Sequence, residues 1–360
     1  MATTPKYKKR LLSAYFLVLF LSFITNFSIQ NYSIFFSSSI ISTPSIIVNI
    51  KKNSTSKKIA QQLYEEKVIA SPFLFSTYIF LKEWGKHLKY GKYEFFQGET
   101  IIDIAEKLYR GDIKNHRLTI IEGWKFSDLR KKIAETKYIK HTIQKQTNQE
   151  IATIIGIPKE FLDGAFFPDT YHYMDGELDT NLLLQAYTKM KKVYQNEFKN
   201  RKQLKHSAFT SWTGTVQDQY KVLSLAAIIE KESFIEREYG IISSVFHNRL
   251  RKNMLLQADP TVIYAVGNKY QGKIKKKHLR FKSPYNTYTT KGLPPFPIAF
   301  SGEKAIRAAL NPQKTDYIYF VAKGNGREHH FNSTLLEHNK DVDAYWLRVE
   351  AQRRLNKQSK

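Results

Sequence analysis

One carboxylate in this chain stands on an apolar stripe. The stretch Leu223–Tyr264 opens with a pattern that predicts a helix over Val222–Glu238. On it Leu225, Ile228 and Glu232 follow one another at intervals of three and four. At about 100° per residue the three share one face. Burial disfavours a charged carboxylate, so Glu232 is expected to keep its proton toward neutral pH and to be usable as a general acid. Glu230 lies two positions earlier and points roughly the opposite way, so of the two acids in Glu230-Lys231-Glu232 the geometry selects Glu232. The bland alternative is an inward acid that only pairs with an arginine. Arg249 is close in sequence and suits that part, or the holding of a substrate carboxylate. Asp259, before Pro260, reads as a turn or helix cap with Pro in the first turn, and alternatively as a second acidic catalyst.

Other elements must position these groups. Gly240 is expected to divide the stretch into two helices, the second over Ile241–Arg251 with Ile242, Val245, Phe246 and Arg249 on one face. Leu162–Tyr173 reads as an ordered loop with an aromatic floor; His172 within it is more readily structural than catalytic. Thr180–Phe198 is a helical candidate. Ser283–Pro297 is a long loop rich in Tyr and Thr hydroxyls, the kind of ordered polar loop that carries binding groups. Tyr317–Ala322 and His329–Asn332 read as strands joined by a turn at Gly324–Gly326. His329, His330 and His338 have no metal spacing with nearby acids, so no zinc, other metal or cofactor is expected. Lys273–Arg280 is a basic run, read as a solvated face, and Asp341–Lys360 a basic helix.

The 360 residues carry 57 Lys plus Arg against 32 Asp plus Glu, a net +25, which suits a polyanionic partner. No cysteine is present, which excludes a disulfide framework and thiolate metal sites. Residues 1–10 are basic. Residues 11–29 run without a charge and are long enough to span a bilayer, with the basic end inside and the rest of the chain outside. That topology argues against nucleic acid as the partner. Residues 30–45, rich in Ser, read as a linker.

From Ile46 a strand, a polar turn and an amphipathic helix recur three times, over Ile46–Ile69, Tyr93–Ile113 and Leu118–Ile139, with Ser56, Thr100 and Ser127 as candidate N-caps. The fold class expected is α+β. One N-terminal transmembrane helix precedes a region of repeats over 46–150, and a mixed helical and small-sheet catalytic domain spans 151–360. The helices around Glu232 are expected to pack against a sheet containing Tyr317–Ala322 and His330–Asn332.

The repeats resemble LysM-type modules, which bind glycans containing N-acetylglucosamine; Tyr93, Phe95 and Trp124 suit either sugar stacking or the core. Over nearly its whole length the chain resembles the endolytic murein transglycosylase family (MltG, or YceG-like). The motifs are FFPDTY, IIEKES, SVFHNRL, LQADPTVIYAVG, SPYNTYTTKGLPPFPIA and YFVAKGNGREHHFNSTLLEHN, in that order. Ser233 stands where many family members have Thr. The resemblance implies that Glu232 is both acid and base in cutting the bond between N-acetylmuramic acid and N-acetylglucosamine, leaving a 1,6-anhydro end, with a possible role in ending strand growth. It implies supporting, substrate-binding positions at Glu230, Ser233, Asn248, Arg249, Gln257, Asp259, Tyr264, Asn286, Tyr288 and Asn332. The implied partners are peptidoglycan glycan strands, the cytoplasmic membrane as a single-pass anchor with the catalytic domain on its outer side, and peptidoglycan synthases. Two alternatives remain open: a hydrolase of the same bond with Asp259 or Glu230 as base, and a glycan-binding scaffold without turnover.

Overall fold

A computed structural model describes residues 15–22, 25, 40–202, 207–209, 213–233, 235–324 and 328–358. The chain falls into two compact units, residues 1–116 and 117–360.

In the first unit β1 (Ser45–Ile50) pairs antiparallel with β2 (Gly91–Phe96), Val48 opposite Tyr93. Two helices lie between the strands, α1 (Ser56–Glu65) and α2 (Pro72–Leu81), and α3 (Ile101–Arg110) follows. Alternate strand residues face inward. Val48, Ile50, Tyr93 and Phe95 therefore share a core with Ile59, Leu63, Phe75, Ile104 and Leu108. Tyr93 and Phe95 are wholly buried, so they are core residues here. Helix α3 starts at a reciprocal cap, in which Asp103 N donates to Thr100 Oγ1 at 3.1 Å and Thr100 N to Asp103 Oδ2 at 2.8 Å.

The second unit carries three short strand pairs: β3 (His116–Thr119) with β5 (Thr170–Tyr173), β4 (Ile139–Lys140) parallel to β6 (Glu177–Leu178), and the antiparallel hairpin of β7 (Tyr319–Ala322) and β8 (His329–Asn332). The helices are α4 (Phe126–Ala134), α5 (Asn148–Ile155), α6 (Asp179–Lys199), α7 (Val216–Glu232), α8 (Glu236–Arg251), α9 (Asp259–Val266), α10 (Lys276–Leu279), α11 (Glu303–Leu310) and α12 (Leu335–Gln358). α7 is the centre. From Val222 to Glu230 every residue is buried, as expected of a helix walled in on all sides. α8 and α11 pack against it, and Phe320 of β7 meets Phe246 of α8 edge-on at 5.9 Å. The expected packing of helices on this hairpin is therefore found.

Three expectations change. The helix break falls at Ser233–Ile235, not at Gly240. Ser233 leaves the helix in an extended conformation, and its Oγ accepts from Ile235 N at 3.0 Å, a local bond that offers the backbone another course. Gly240 lies inside α8, where its carbonyl accepts from Gln313 N at 3.0 Å and a Cβ would stand 3.4 Å from the Gln313 side chain. Of the three caps only Thr100 holds. Thr55, not Ser56, caps α1, and α4 begins at Lys125, with Phe126 N donating to Asp163 Oδ1 at 2.7 Å. The third strand–turn–helix does not join the first two, because its strand finds β5 as partner. Of the predicted span 11–29, residues 15–22 are helical and Thr25 is described; the rest lies outside the described residues. Among the described residues no helix is long and apolar enough to cross a membrane.

Since α7 is enclosed on all sides, shortening it from within leaves a cavity. Ile228→Ala is expected to cost about 2–5 kcal/mol, read as a lower denaturant midpoint at unchanged slope.

Candidate active site

Glu232 is the last residue of α7. It keeps partial solvent access although protein surrounds it. Burial pushes its carboxyl up to about 8, the charge of Asp259 adds to the shift, and Arg249 opposes it. The negative end of the α7 dipole acts in the raising direction as well. Among the described residues no hydrogen bond reaches this carboxylate. At neutral pH Glu232 therefore holds a proton.

Three side chains complete the cluster whose charges reach one another. Arg249 is buried, fixed by Nε to the Ile318 carbonyl at 2.6 Å and by Nη1 to the Leu256 carbonyl at 2.8 Å. Its guanidinium lies 5.3 Å from the Tyr319 ring centroid. Asp259, exposed at the start of α9, accepts from the Tyr288 hydroxyl at 2.7 Å. Burial, together with Asp259 and Glu232, pushes the Tyr288 phenol well above its ordinary range, so it stays a donor.

Most of the remaining sequence-predicted residues are engaged in bonds within the fold. Asn286 is wholly buried; its Nδ2 donates to the carbonyls of Phe281 at 2.7 Å and Leu279 at 3.1 Å, and its Oδ1 accepts from Tyr288 N at 3.0 Å. It thereby folds the loop that presents Tyr288. Asn248 Nδ2 spans the carbonyls of Thr315 at 2.9 Å and Tyr317 at 2.8 Å. Gln257 turns the chain into α9 through a φ of 50°. Tyr264 donates to Asp163 at 2.7 Å. Glu230 is spent: Oε1 accepts from Tyr239 Oη at 3.0 Å and Oε2 from Gly302 N at 2.9 Å, and burial raises its pKa. Asn332 donates to Asp341 at 2.8 Å beside a pocket of about 410 Å³ lined also by Tyr317, Phe331, Glu337 and Lys340.

Two residues outside the sequence-predicted set, Glu238 and Gly164, tie distant segments together here. Ser233 Oγ lies 3.3 Å from Glu238 Oε2, and Glu238 in turn takes His329 N at 3.1 Å and His329 Nδ1 at 2.7 Å. This buried link ties the turn after Glu232 to β8. Its only sequence trace was an acid one turn beyond the site, and nothing local pairs that acid with a histidine 91 residues away. Gly164 lets the aromatic loop close on the polar one: a Cβ there would stand 2.3 Å from the Pro297 ring. Among the described residues no cluster of three or more His, Cys, Asp or Glu side chains suited to a metal ion occurs.

Glu232, Arg249, Asp259 and Tyr288 thus form one cluster of electrostatically interacting side chains. The chain belongs to the YceG-like family, which matches residues 48–344. It is 34% identical over 322 residues to the endolytic murein transglycosylase of Bacillus subtilis, covering 84% of this chain and 86% of that one. It is 24% identical to the endolytic murein transglycosylase of Streptococcus pneumoniae R6, over 82% of this chain and 58% of that one. The crystal structure of a yceG-like protein from Listeria monocytogenes is 30% identical, covers 83% of this chain and 99% of its own, and has a TM-score of 0.49.

The raised pKa has a thermodynamic signature. In the unfolded chain Glu232 releases its proton near 4.5, in the folded chain near 8. Its contribution to stability is thus complete below pH 4.5 and is lost as pH rises toward 8. Glu232→Gln keeps the shape without the titration. Denaturant melts should show wild type losing stability relative to Glu232→Gln between pH 5 and pH 8, by on the order of a few kcal/mol. A constant difference across that range would contradict the assignment.

Proposed function

We propose that Glu232 is the single acid–base of an endolytic peptidoglycan lytic transglycosylase. The observation that carries the reading is its buried carboxyl, protonated at neutral pH and without a hydrogen-bond partner among the described residues. The enzyme acts on glycan strands, cleaving between N-acetylmuramic acid and N-acetylglucosamine. Glu232 gives its proton to the glycosidic oxygen as the C1–O bond breaks, and positive charge develops at C1 of the muramic residue. The Glu232 carboxylate then takes the proton of the C6 hydroxyl while O6 bonds to C1. The 1,6-anhydro ring closes, Glu232 is protonated again, and no water is consumed. Arg249 and Tyr288 are placed to hold polar groups of the sugar or its lactyl carboxylate.

Hydrolysis is the second reading and needs a base to activate water. Both oxygens of Glu230 are committed to Tyr239 and Gly302, which leaves Asp259 for that part.

The reading extends to the rest of the chain. Residues 1–10 lie inside, 11–29 span the cytoplasmic membrane, and the folded units lie outside it, next to nascent glycan and the synthases that make it. The β1–α1–α2–β2 order with an antiparallel strand pair supports a LysM-like first unit. A groove of about 600 Å³ lined by Lys51, Asn53, Thr55, Lys86 and Tyr90 has room for a sugar there.

Full-length chain and Glu232→Gln, each incubated with purified peptidoglycan, separate the readings by product mass. Anhydro-muramyl ends from wild type, reduced about 10²–10⁴-fold in the variant, are expected. Hydrated reducing ends would establish a hydrolase instead, and no cleavage a scaffold. The alkaline limb of the wild-type rate should fall near pH 8. Asp259→Asn removes a raising charge and should move that limb to lower pH; a hydrolase would lose turnover altogether.

A further inference from the structure

We propose that the outer face of α2 is a membrane-docking surface whose occupant is an anionic lipid bilayer. The inference rests on the anchored, outward topology proposed above. Phe73, Phe80 and Leu81 are 69%, 80% and 71% exposed, while Leu74, Phe75 and Ile79 of the same helix are buried in the first unit's core. Phe73 and Phe80, seven apart, return to one side of the helix, opposite buried Phe75, and Leu81, its last residue, is exposed next to Phe80. A surface helix of a globular unit ordinarily has one apolar face; α2 has two.

What borders the face identifies its occupant. Tyr78 meets Trp84 edge-on at 5.9 Å, and Trp84 stacks on Tyr109 at 4.1 Å. Lys82 Nζ lies 5.8 Å from the Tyr78 ring and 6.0 Å from that of Trp84, and Lys86 is exposed. Bulky exposed apolar residues to enter the acyl boundary, a partly exposed Trp and Tyr near the end of the helix and lysines beside them to meet phosphate are the composition of an interfacial helix. A protein partner or a second copy would cover apolar area too, but would not call for cations ranged along an aromatic edge.

The tether sets the distance. Residues 30–40 separate the predicted span from Ile41, which is buried in this unit's core. Eleven residues reach at most about 40 Å even when fully extended. On the proposed anchor the unit is therefore held close to the bilayer, where even weak lipid affinity becomes intramolecular.

The chain has no cysteine, so single-cysteine labels report one position each. Full-length chain in phosphatidylglycerol-containing vesicles is labelled with an environment-sensitive fluorophore at Phe80→Cys, and separately at Leu19→Cys within the predicted span. The Phe80 label should emit to the blue of its position in water and lose most of its emission to spin-labelled lipid. Adding Lys82→Glu with Lys86→Glu should restore much of that emission. A Phe80 label that stays water-like while the Leu19 label is quenched overturns docking and leaves the anchor standing. A Phe80 label shifted to the blue but untouched by lipid quencher means protein covers the face, and overturns it too. If the Leu19 label escapes quenching, the anchor reading fails, and the Phe80 result in the same vesicles decides docking by itself.

Discussion

The second unit holds one carboxyl group largely out of water, with no hydrogen-bond donor to it among the described residues. A charge taken out of water and left unpaired costs several kcal/mol, so the group gives up its charge instead. Holding Glu232 in that state requires a support that cannot relax around it. α7 supplies the support. It arrives through the centre of the core, buried from Val222 to Glu230, and stops at Glu232. Fully burying one Leu, Ile or Val side chain contributes about 1.5–3 kcal/mol, so a single turn of this helix outweighs the cost of one neutral acid at its end.

The same unit contains other buried acids, and their treatment shows what is different about Glu232. Asp179 is wholly buried and accepts from the backbone of Thr142 at 2.8 Å and of Ile143 at 3.1 Å. Glu230 has a donor on each oxygen, and Glu238 is held by His329 and Ser233. Each of these acids joins segments far apart in sequence, and each is spent in doing so. Only a carboxyl left without such donors has its proton and lone pairs free for a substrate. On the proposed reading, the catalytic acid is the one that the fold leaves without a donor among the described residues.

Local periodicity made part of this legible. The three-and-four spacing of Leu225, Ile228 and Glu232 is set by helix geometry alone, and the hairpin of β7 and β8 followed from two β-type runs around a glycine turn. Periodicity failed where packing is not one-sided. Glu230 does point away from Glu232, but α7 has no outer face there, so the opposite direction led to Tyr239 and Gly302 rather than to solvent. The break after Glu232 was assigned to Gly240 because glycine weakens helices; a serine hydroxyl capturing Ile235 N made the turn seven residues earlier. Asn248 and Asn286 carry the right chemistry for binding sugar, and spacing cannot show that their side-chain amides are already used on backbone carbonyls.

Those committed donors bear on how one acid can do two jobs. On the proposed mechanism Glu232 first gives a proton and then recovers one, so the groups around it have to stay in place while its charge changes. Arg249 is fixed by backbone carbonyls, not by Glu232, and Tyr288 is fixed through Asn286 and directed at Asp259. Neither anchor is lost when Glu232 ionises. The positive guanidinium then favours the carboxylate, and the charge of Asp259 opposes it, so the anion is transient and takes back a proton readily. Preorganised groups of this kind spare the reorganisation that water would require around a changing charge. A single carboxyl with rigid neighbours of both signs can therefore serve as acid and then as base, provided that the hydroxyl it deprotonates belongs to the substrate itself.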